Sequence, residues 1–316
     1  MRVALLATLA LLLAACAGPA APTPAAGQVR VVATTTVFAD LVRQVGGERV
    51  EVHSLVPAGG EVHTFDPAPS DVLRLAEADL LVMNGVGLDE WLVGLARDAG
   101  RQDLRVLELG EDLQEVDYIE SSDDHADDDA EDSHAGDDHG ATNPHLWLDV
   151  ANGRLYADRI RLALIEMDAA GQADYDDNAE AFDARLAELD GWIREQLAAI
   201  PTEQRRAVTF HDAFPYFAAA YGLEIVGVVV ESPGQEPSVA QVGRLVDRIR
   251  QSGARLILAE AQFSHRLAQA IADEAGVAVV DGLYTDSLGD PPDDSYESAM
   301  RANVERITAA LAAAAP

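Results

Sequence analysis

One cysteine, Cys16, is all this 316-residue chain carries, so no disulfide can form within it and the fold must rest on its buried core. Bases are scarce beside acids: 22 Lys and Arg against 55 Asp and Glu leave a formal net charge of −33. A nucleic-acid backbone would be repelled, which excludes nucleic acid as a partner. Long apolar runs are missing too. The stretch Val3–Leu13 falls short of the roughly 20 residues a membrane-spanning helix needs, and nothing later is longer. There is no HExxH sequence, and no closely spaced group of ligands of the local zinc-site kind.

What the N-terminus does have is the pattern of an export signal. Arg2 supplies the positive start, Val3–Leu13 the apolar centre, and Leu13-Ala14-Ala15-Cys16 matches a lipobox, after which the cysteine is lipidated. Residues 1–16 therefore read as a lipoprotein signal peptide, with cleavage as an ordinary secretory signal as the alternative. Residues 17–28, rich in Ala, Pro and Gly, read as a flexible tether.

From Val29 onward apolar runs of strand type alternate with helical spacing. Strands are expected at Val29–Ala33, Val50–Val56, Leu80–Met83 and Leu104–Leu109. Helices are expected around Phe38–Val45, after a Ser70 cap, and over Leu88–Ala99 and Ala151–Asp168. This alternation implies a parallel sheet wrapped by helices, an N-terminal α/β lobe over 29–168. Within it, residues 120–139 carry ten acids and no base. The region 169–201 reads as a linker helix. Tyr175, Ala179, Phe182, Leu186, Leu189, Ile193, Leu197 and Ile200 form one stripe, on a rod of roughly 40 Å if Gly191 does not break it. Residues 202–316 repeat the β/α alternation as a second lobe. Its strands are expected at Ala207–Phe210, Glu224–Val230, Arg255–Ala259 and Val277–Val280, with a Ser238-capped helix to Gln251 and a last helix over Asp294–Ala313.

Four side chains share a placement near the ends of these elements. His63 follows a strand and a Gly-Gly pair. His145 is held between Pro144 and the apolar Leu146-Trp147-Leu148. His211 ends a strand, and Asp286 lies in the loop after the last one. Ligands of open α/β sheets sit outside the carboxyl ends of strands, and three neutral imidazoles with a carboxylate suit tetrahedral Zn²⁺. At 82, 66 and 75 residues apart, these four converge only if the fold brings them together.

The segments EVHTFDPAPSD (61–71), NGVGLDEWL (84–92), NPHLWLD (143–149), FHDAFPYFA (210–218), SPGQEPS (232–238) and YTDSLG (284–289) carry a resemblance that runs from Val31 to the last helix. In this order they resemble the zinc- and manganese-binding lipoproteins that serve as solute-binding proteins of bacterial ABC importers. The resemblance implies two α/β lobes joined by a long rigid helix, with limited lobe movement and one metal in the cleft. It assigns His63, His145, His211 and Asp286 as ligands, with Asp281 the rival for the fourth place. It also implies an extracytoplasmic monomer, anchored by lipid on Cys16 beside its permease and ATPase. A third histidine, where manganese-binding relatives carry a carboxylate, leans toward Zn²⁺ over Mn²⁺. The loop histidines His125, His134 and His139 lean the same way, either collecting metal weakly or simply belonging to a solvated spacer. His53 and His265 are expected to be structural or surface groups, and Trp91, Trp147 and Trp192 core. Three alternatives remain: a zinc hydrolase, a two-lobed binder of siderophores or corrins, and a surface adhesin. The first lacks a catalytic motif, and the second has no use for three aligned histidines.

Overall fold

The computed structural model describes residues 27–121, 142–230, 233–235, 237–263 and 265–314. Cys16, most of the tether and His125, His134 and His139 lie outside the described residues.

The first sheet is built from β1 (Val29–Ala33), β2 (Val50–Ser54), β3 (Leu80–Met83) and β4 (Arg105–Glu108), in the order β2-β1-β3-β4. All its pairings are parallel. The crossovers carry α1 (Thr36–Gly46), α2 (Pro69–Glu77) and α3 (Trp91–Asp98). After residues 121–141 come α4 (Val150–Met167) and the linker α5 (Gln172–Ala198). The second sheet comprises β5 (Arg206–Thr209), β6 (Glu224–Val228), β7 (Leu256–Glu260) and β8 (Ala278–Leu283), in the order β6-β5-β7-β8. It too is wholly parallel. With it go α6 (Pro215–Tyr221), α7 (Val239–Ser252), α8 (His265–Ala275) and α9 (Tyr296–Ala313). Both lobes therefore repeat one topology, with the strand order reversing beside β1 in the first and beside β5 in the second.

The linker runs unbroken through Gly191, and seven members of its expected stripe, Tyr175 to Leu197, are buried. Ile200 lies just past its end. A single apolar core joins the lobes: Val31, Ala33 and Leu80 of the first sheet and Ala207, Leu258 and Val280 of the second pack with Phe182, Leu186, Leu189 and Ile193 of α5. Each Val, Leu, Ile or Phe among them, fully buried, contributes on the order of 1.5–3 kcal/mol. The lobes thus share one interior instead of swinging on a solvated hinge. Polar ties across the junction reinforce it. Arg185 of α5 reaches both Glu297 and Gln44, and the Tyr296 N–H donates to buried Asp40 of α1.

Three expected boundaries shift for local reasons. Ser70 does not cap α2; Pro69, whose fixed φ suits a first helical position, starts the helix one residue earlier, and the Asp71 carboxylate accepts from the Ala68 N–H at 2.8 Å. The helix expected from Leu88 begins at Trp91. Gly85, Val86 and Gly87 all take positive φ, and the Asp89 carboxylate is engaged by the Asn84 and Gly85 N–H groups, so 84–90 is a turn. Strand β8 runs past Asp281 to Leu283, three residues beyond its expected end. Elsewhere the agreement is close, down to the Ser238–Gln241 reciprocal cap of α7.

Candidate metal centre

The loop after β2 delivers His63. Val62 is buried in the core, so its neighbour faces the opposite way, and the His63 N–H donates to Glu61 Oε1 at 2.8 Å. A side chain at Gly60 would collide with Val56 and the Pro57 carbonyl, which is why this turn needs glycine. The backbone of His63 is open to solvent, but its imidazole, 22% exposed, turns inward.

His145 is mounted from behind. Asn143 Oδ1 lies 3.1 Å from the His145 N–H and 3.0 Å from Nδ1, so Nδ1 carries the proton and Nε2 is left with its lone pair. Asn84 Nδ2 holds the Pro144 carbonyl at 3.0 Å, and Tyr156 in turn donates to Asn84. Trp147 is buried as expected, its ring 5.3 Å from the imidazole, and its indole N–H reaches the Thr285 carbonyl at 2.9 Å. One aromatic therefore braces both the His145 turn and the loop bearing Asp286.

His211 stands just past β5, its Nδ1 at 2.8 Å from Glu260 Oε1, the last residue of β7. Phe263 closes over the ring at 5.1 Å. Asp286, fully buried, is fixed through its neighbours. The Leu288 N–H donates to Thr36 Oγ1, and the Leu288 carbonyl accepts from the Gly59 N–H. Although Asp286 belongs to the second lobe in sequence, its loop is tied to the first.

The four side chains meet. One ligand-capable atom from each of His63, His145, His211 and Asp286 lies within 4.8 Å of all the others. His145 Nε2 is 3.3 Å from His211 Nε2 and 3.3 Å from Asp286 Oδ1, while Asp286 Oδ2 is 3.5 Å from His211 Nε2 and 3.9 Å from His63 Nε2. A tetrahedron with bonds of ~2.0–2.1 Å has edges of about 3.3–3.4 Å, close to the three separations among His145, His211 and Asp286, while His63 stands farther out. Asp286 Oδ1 is buried without a hydrogen-bond partner, an oxygen awaiting a cation.

Electrostatics favour the same occupant. Burial by itself would raise the Asp286 carboxyl, but His145 and the other two imidazoles hold it below the usual range. Burial, with help from the neighbouring imidazoles, pushes His63 down to about 4, so it is neutral and ready to bind. Burial also acts to lower His211, but the Glu260 and Asp286 carboxylates outweigh it and bring it up to about 9. Burial, then the Asp286 charge, raises Glu61 to about 7.

Asp281 is not in the cluster. It lies within β8, half exposed, and pairs with His265 Nδ1 at 3.0 Å on the surface. His53 is inside β2. Sequence reasoning missed Glu260, Asn143, Glu61 and Gln262, whose amide donates to Asp286 Oδ2 at 3.2 Å. For Glu260 a signal existed: a carboxylate closing the otherwise apolar run LILAE. A groove of about 690 Å³ between α4 and α5 includes none of these residues, and its arginines, Arg154 and Arg161, are already paired with aspartates.

Comparison with known proteins identifies the family. Residues 31–310 match the family described as zinc-uptake complex component A, periplasmic. The chain is 30% identical over 306 residues to the manganese-binding lipoprotein MntA of Halalkalibacterium halodurans, covering 96% of this chain and 95% of that one. It is 28% identical over 309 residues to the manganese ABC transporter substrate-binding lipoprotein PsaA of Streptococcus pneumoniae, covering 96% of each. Among solved structures, the periplasmic zinc-binding protein TroA of Treponema pallidum superposes with a TM-score of 0.77 at 26% identity, covering 90% of this chain and 99% of that one. A hydrolase reading has no place in this company. The chain belongs to the zinc-uptake component A family, the metal-binding, non-enzymatic substrate-binding proteins of ABC importers.

Proposed function

We propose that this protein captures Zn²⁺ outside the cytoplasm, using His63, His145, His211 and Asp286 as its ligands, and passes it to its permease. The observation that carries the reading is the cluster itself: three imidazoles and one carboxylate within 4.8 Å of one another, spaced close to a tetrahedral set. Nitrogen-rich, four-donor coordination favours Zn²⁺ over harder ions. The zinc named for the family and for TroA supports the choice. Titrating Zn²⁺ and Mn²⁺ into metal-stripped protein tests it: Zn²⁺ is expected to bind more tightly and to displace Mn²⁺, and equal affinities would sink the preference.

Manganese is the second reading, favoured by one geometric feature besides the names of MntA and PsaA. The two oxygens of Asp286 face different imidazoles, Oδ1 toward His145 and Oδ2 toward His211, so both can coordinate at once. That raises the coordination number and oxygen share toward what Mn²⁺ prefers.

The division into a signal over 1–16, a tether over 17–28, lobes over 29–168 and 202–316 and a linker over 169–201 belongs to this proposal. So does a monomer held at the membrane by lipid on Cys16. Among the described residues no helix is long and apolar enough to cross a membrane, and relatives are lipoproteins. The acidic, histidine-bearing segment is bracketed in sequence by an antiparallel bridge between Glu120 and Thr142, three residues from His145. Its proposed role is to gather Zn²⁺ near the cleft through His125, His134 and His139. Deleting 121–140 is expected to reduce uptake only when zinc is limiting; undiminished uptake would refute the role.

A further inference from the structure

Glu260 is a fully buried carboxylate at the carboxyl end of β7, beside β5 where the strand order of the second sheet reverses. Phe263, whose N–H donates to the Glu260 carbonyl, stacks on Phe210 at 5.1 Å and lies 5.1 Å from the His211 ring. Oε1 reaches His211 Nδ1 at 2.8 Å, and Oε2 is buried with no hydrogen-bond partner. An ionised carboxylate buried with half its acceptors bare is costly, and well-packed apolar replacements are commonly no less stable. Its position therefore calls for a role other than holding the fold together.

That role follows from what His211 must do. A free imidazole exchanges its proton between two nitrogens, and only one tautomer leaves the Nε2 lone pair free. A carboxylate behind Nδ1 fixes that proton, fixes the ring plane and makes Nε2 a stronger donor. His145, the other deeply buried imidazole, has only the neutral amide of Asn143 behind it. The backing charge is thus specific to the second lobe. Together with Asp286 it places two buried negative charges around a site for an ion of charge +2.

We propose that Glu260 is the positioning residue of the metal site, acting through His211 to hold its Nε2 toward the ion and to supply the second negative charge that a divalent cargo balances. The proposal rests on His211 being a ligand. Glu260 does not itself reach the ion.

The test is a double-mutant cycle on the full-length protein, using Zn²⁺ affinity by chelator competition as the probe. E260Q keeps the shape and removes the charge, and is expected to weaken binding about 10- to 100-fold. In an H211A background the same change is expected to cost less than about twofold, because the group it acts through is gone. An E260Q protein that binds within about twofold of the parent overturns the proposal, as does a loss undiminished in H211A. If H211A alone leaves affinity intact, the ligand assignment fails instead, so the two failures are distinguishable. Should E260Q not fold, nitrogen NMR of His211 in the metal-free parent, at alkaline pH where the ring holds a single proton, decides: that proton is expected on Nδ1, and a population with Nδ1 bare refutes the proposal.

Discussion

The two lobes contribute two of the proposed ligands each, share one topology, and yet present them differently. The first lobe offers His63 from a solvent-facing loop and His145 backed by an amide. The second offers His211 and Asp286 from full burial, with a carboxylate behind the imidazole. The second-lobe half is thus sunk in low dielectric, with carboxylates in and behind it, while the first-lobe half contains the one side chain of the four, that of His63, with a side open to water. Asymmetry of this kind suits a carrier. On the proposed reading, the carboxylates of the second lobe supply the grip and an ion passes His63, the open side, as it enters or leaves.

The comparison breaks most sharply if ligands are removed one at a time. Losing the buried charge in D286A should cost the most, on the order of 10²- to 10³-fold in Zn²⁺ affinity, because uncompensated burial near three imidazoles is worth several kcal/mol. H63A should cost less, about 10- to 100-fold, since water can enter the open side of the cleft. Calorimetric titration of both variants ranks them, and a larger loss in H63A would reverse the roles of the lobes.

Acidity sharpens the same contrast. The raised value of His211, about 9, means that the metal-free protein holds a proton there at neutral pH. The charge stabilises the empty fold fully below the ordinary histidine value of 6.5 and is lost as pH rises through 9. Metal must displace that proton, so affinity should rise up to about tenfold per pH unit until near 9 and then level off. His63, lowered to about 4, adds a second proton only in stronger acid. From sequence alone the fall would be expected near an unperturbed histidine value, about 6.5. Chelator competition across the range checks this, and a profile flat from neutral pH to 9 would remove the charged proton from the second lobe.

A smaller effect probes how His145 is held. N143A removes the acceptor behind Nδ1 and is expected to weaken binding about tenfold. Because Trp147 lies 5.3 Å from that imidazole and donates to the Thr285 carbonyl, its fluorescence reports the turn directly. An unchanged affinity together with an unchanged emission would show that Pro144 and the packed tryptophan suffice.

These contrasts mark how far the sequence could be read. Strand periodicity, the linker stripe and the ligand-bearing segments stood out because each is local or belongs to a recognisable motif. Val29–Ala33 and Leu80–Met83 fall where spacing puts them. What escaped notice depends on contacts between distant strands. Glu260 meets His211 only because β5 and β7 are neighbours in the sheet. The resemblance favours Asp286 over Asp281 as the fourth ligand, but the contact that sets Asp281 apart, its pairing with His265 from within β8, is a tertiary one. Ser70 was misread because a proline one residue earlier starts the helix by itself.

The least disruptive change concerns what lies between the lobes. Gly191 sits exposed in the middle of α5, and a methyl group there would touch nothing within 4 Å. Its backbone is helical, so alanine fits without strain and removes only the extra freedom of the unfolded chain. G191A should therefore stabilise the protein by about 0.5–1 kcal/mol, read as a higher denaturation midpoint. Because the shared core already makes α5 a rigid strut, metal affinity should stay unchanged. If stiffening this helix altered Zn²⁺ binding, the two halves would be communicating through a flexing linker, and the lobe asymmetry would have to be explained by motion instead of by burial and charge.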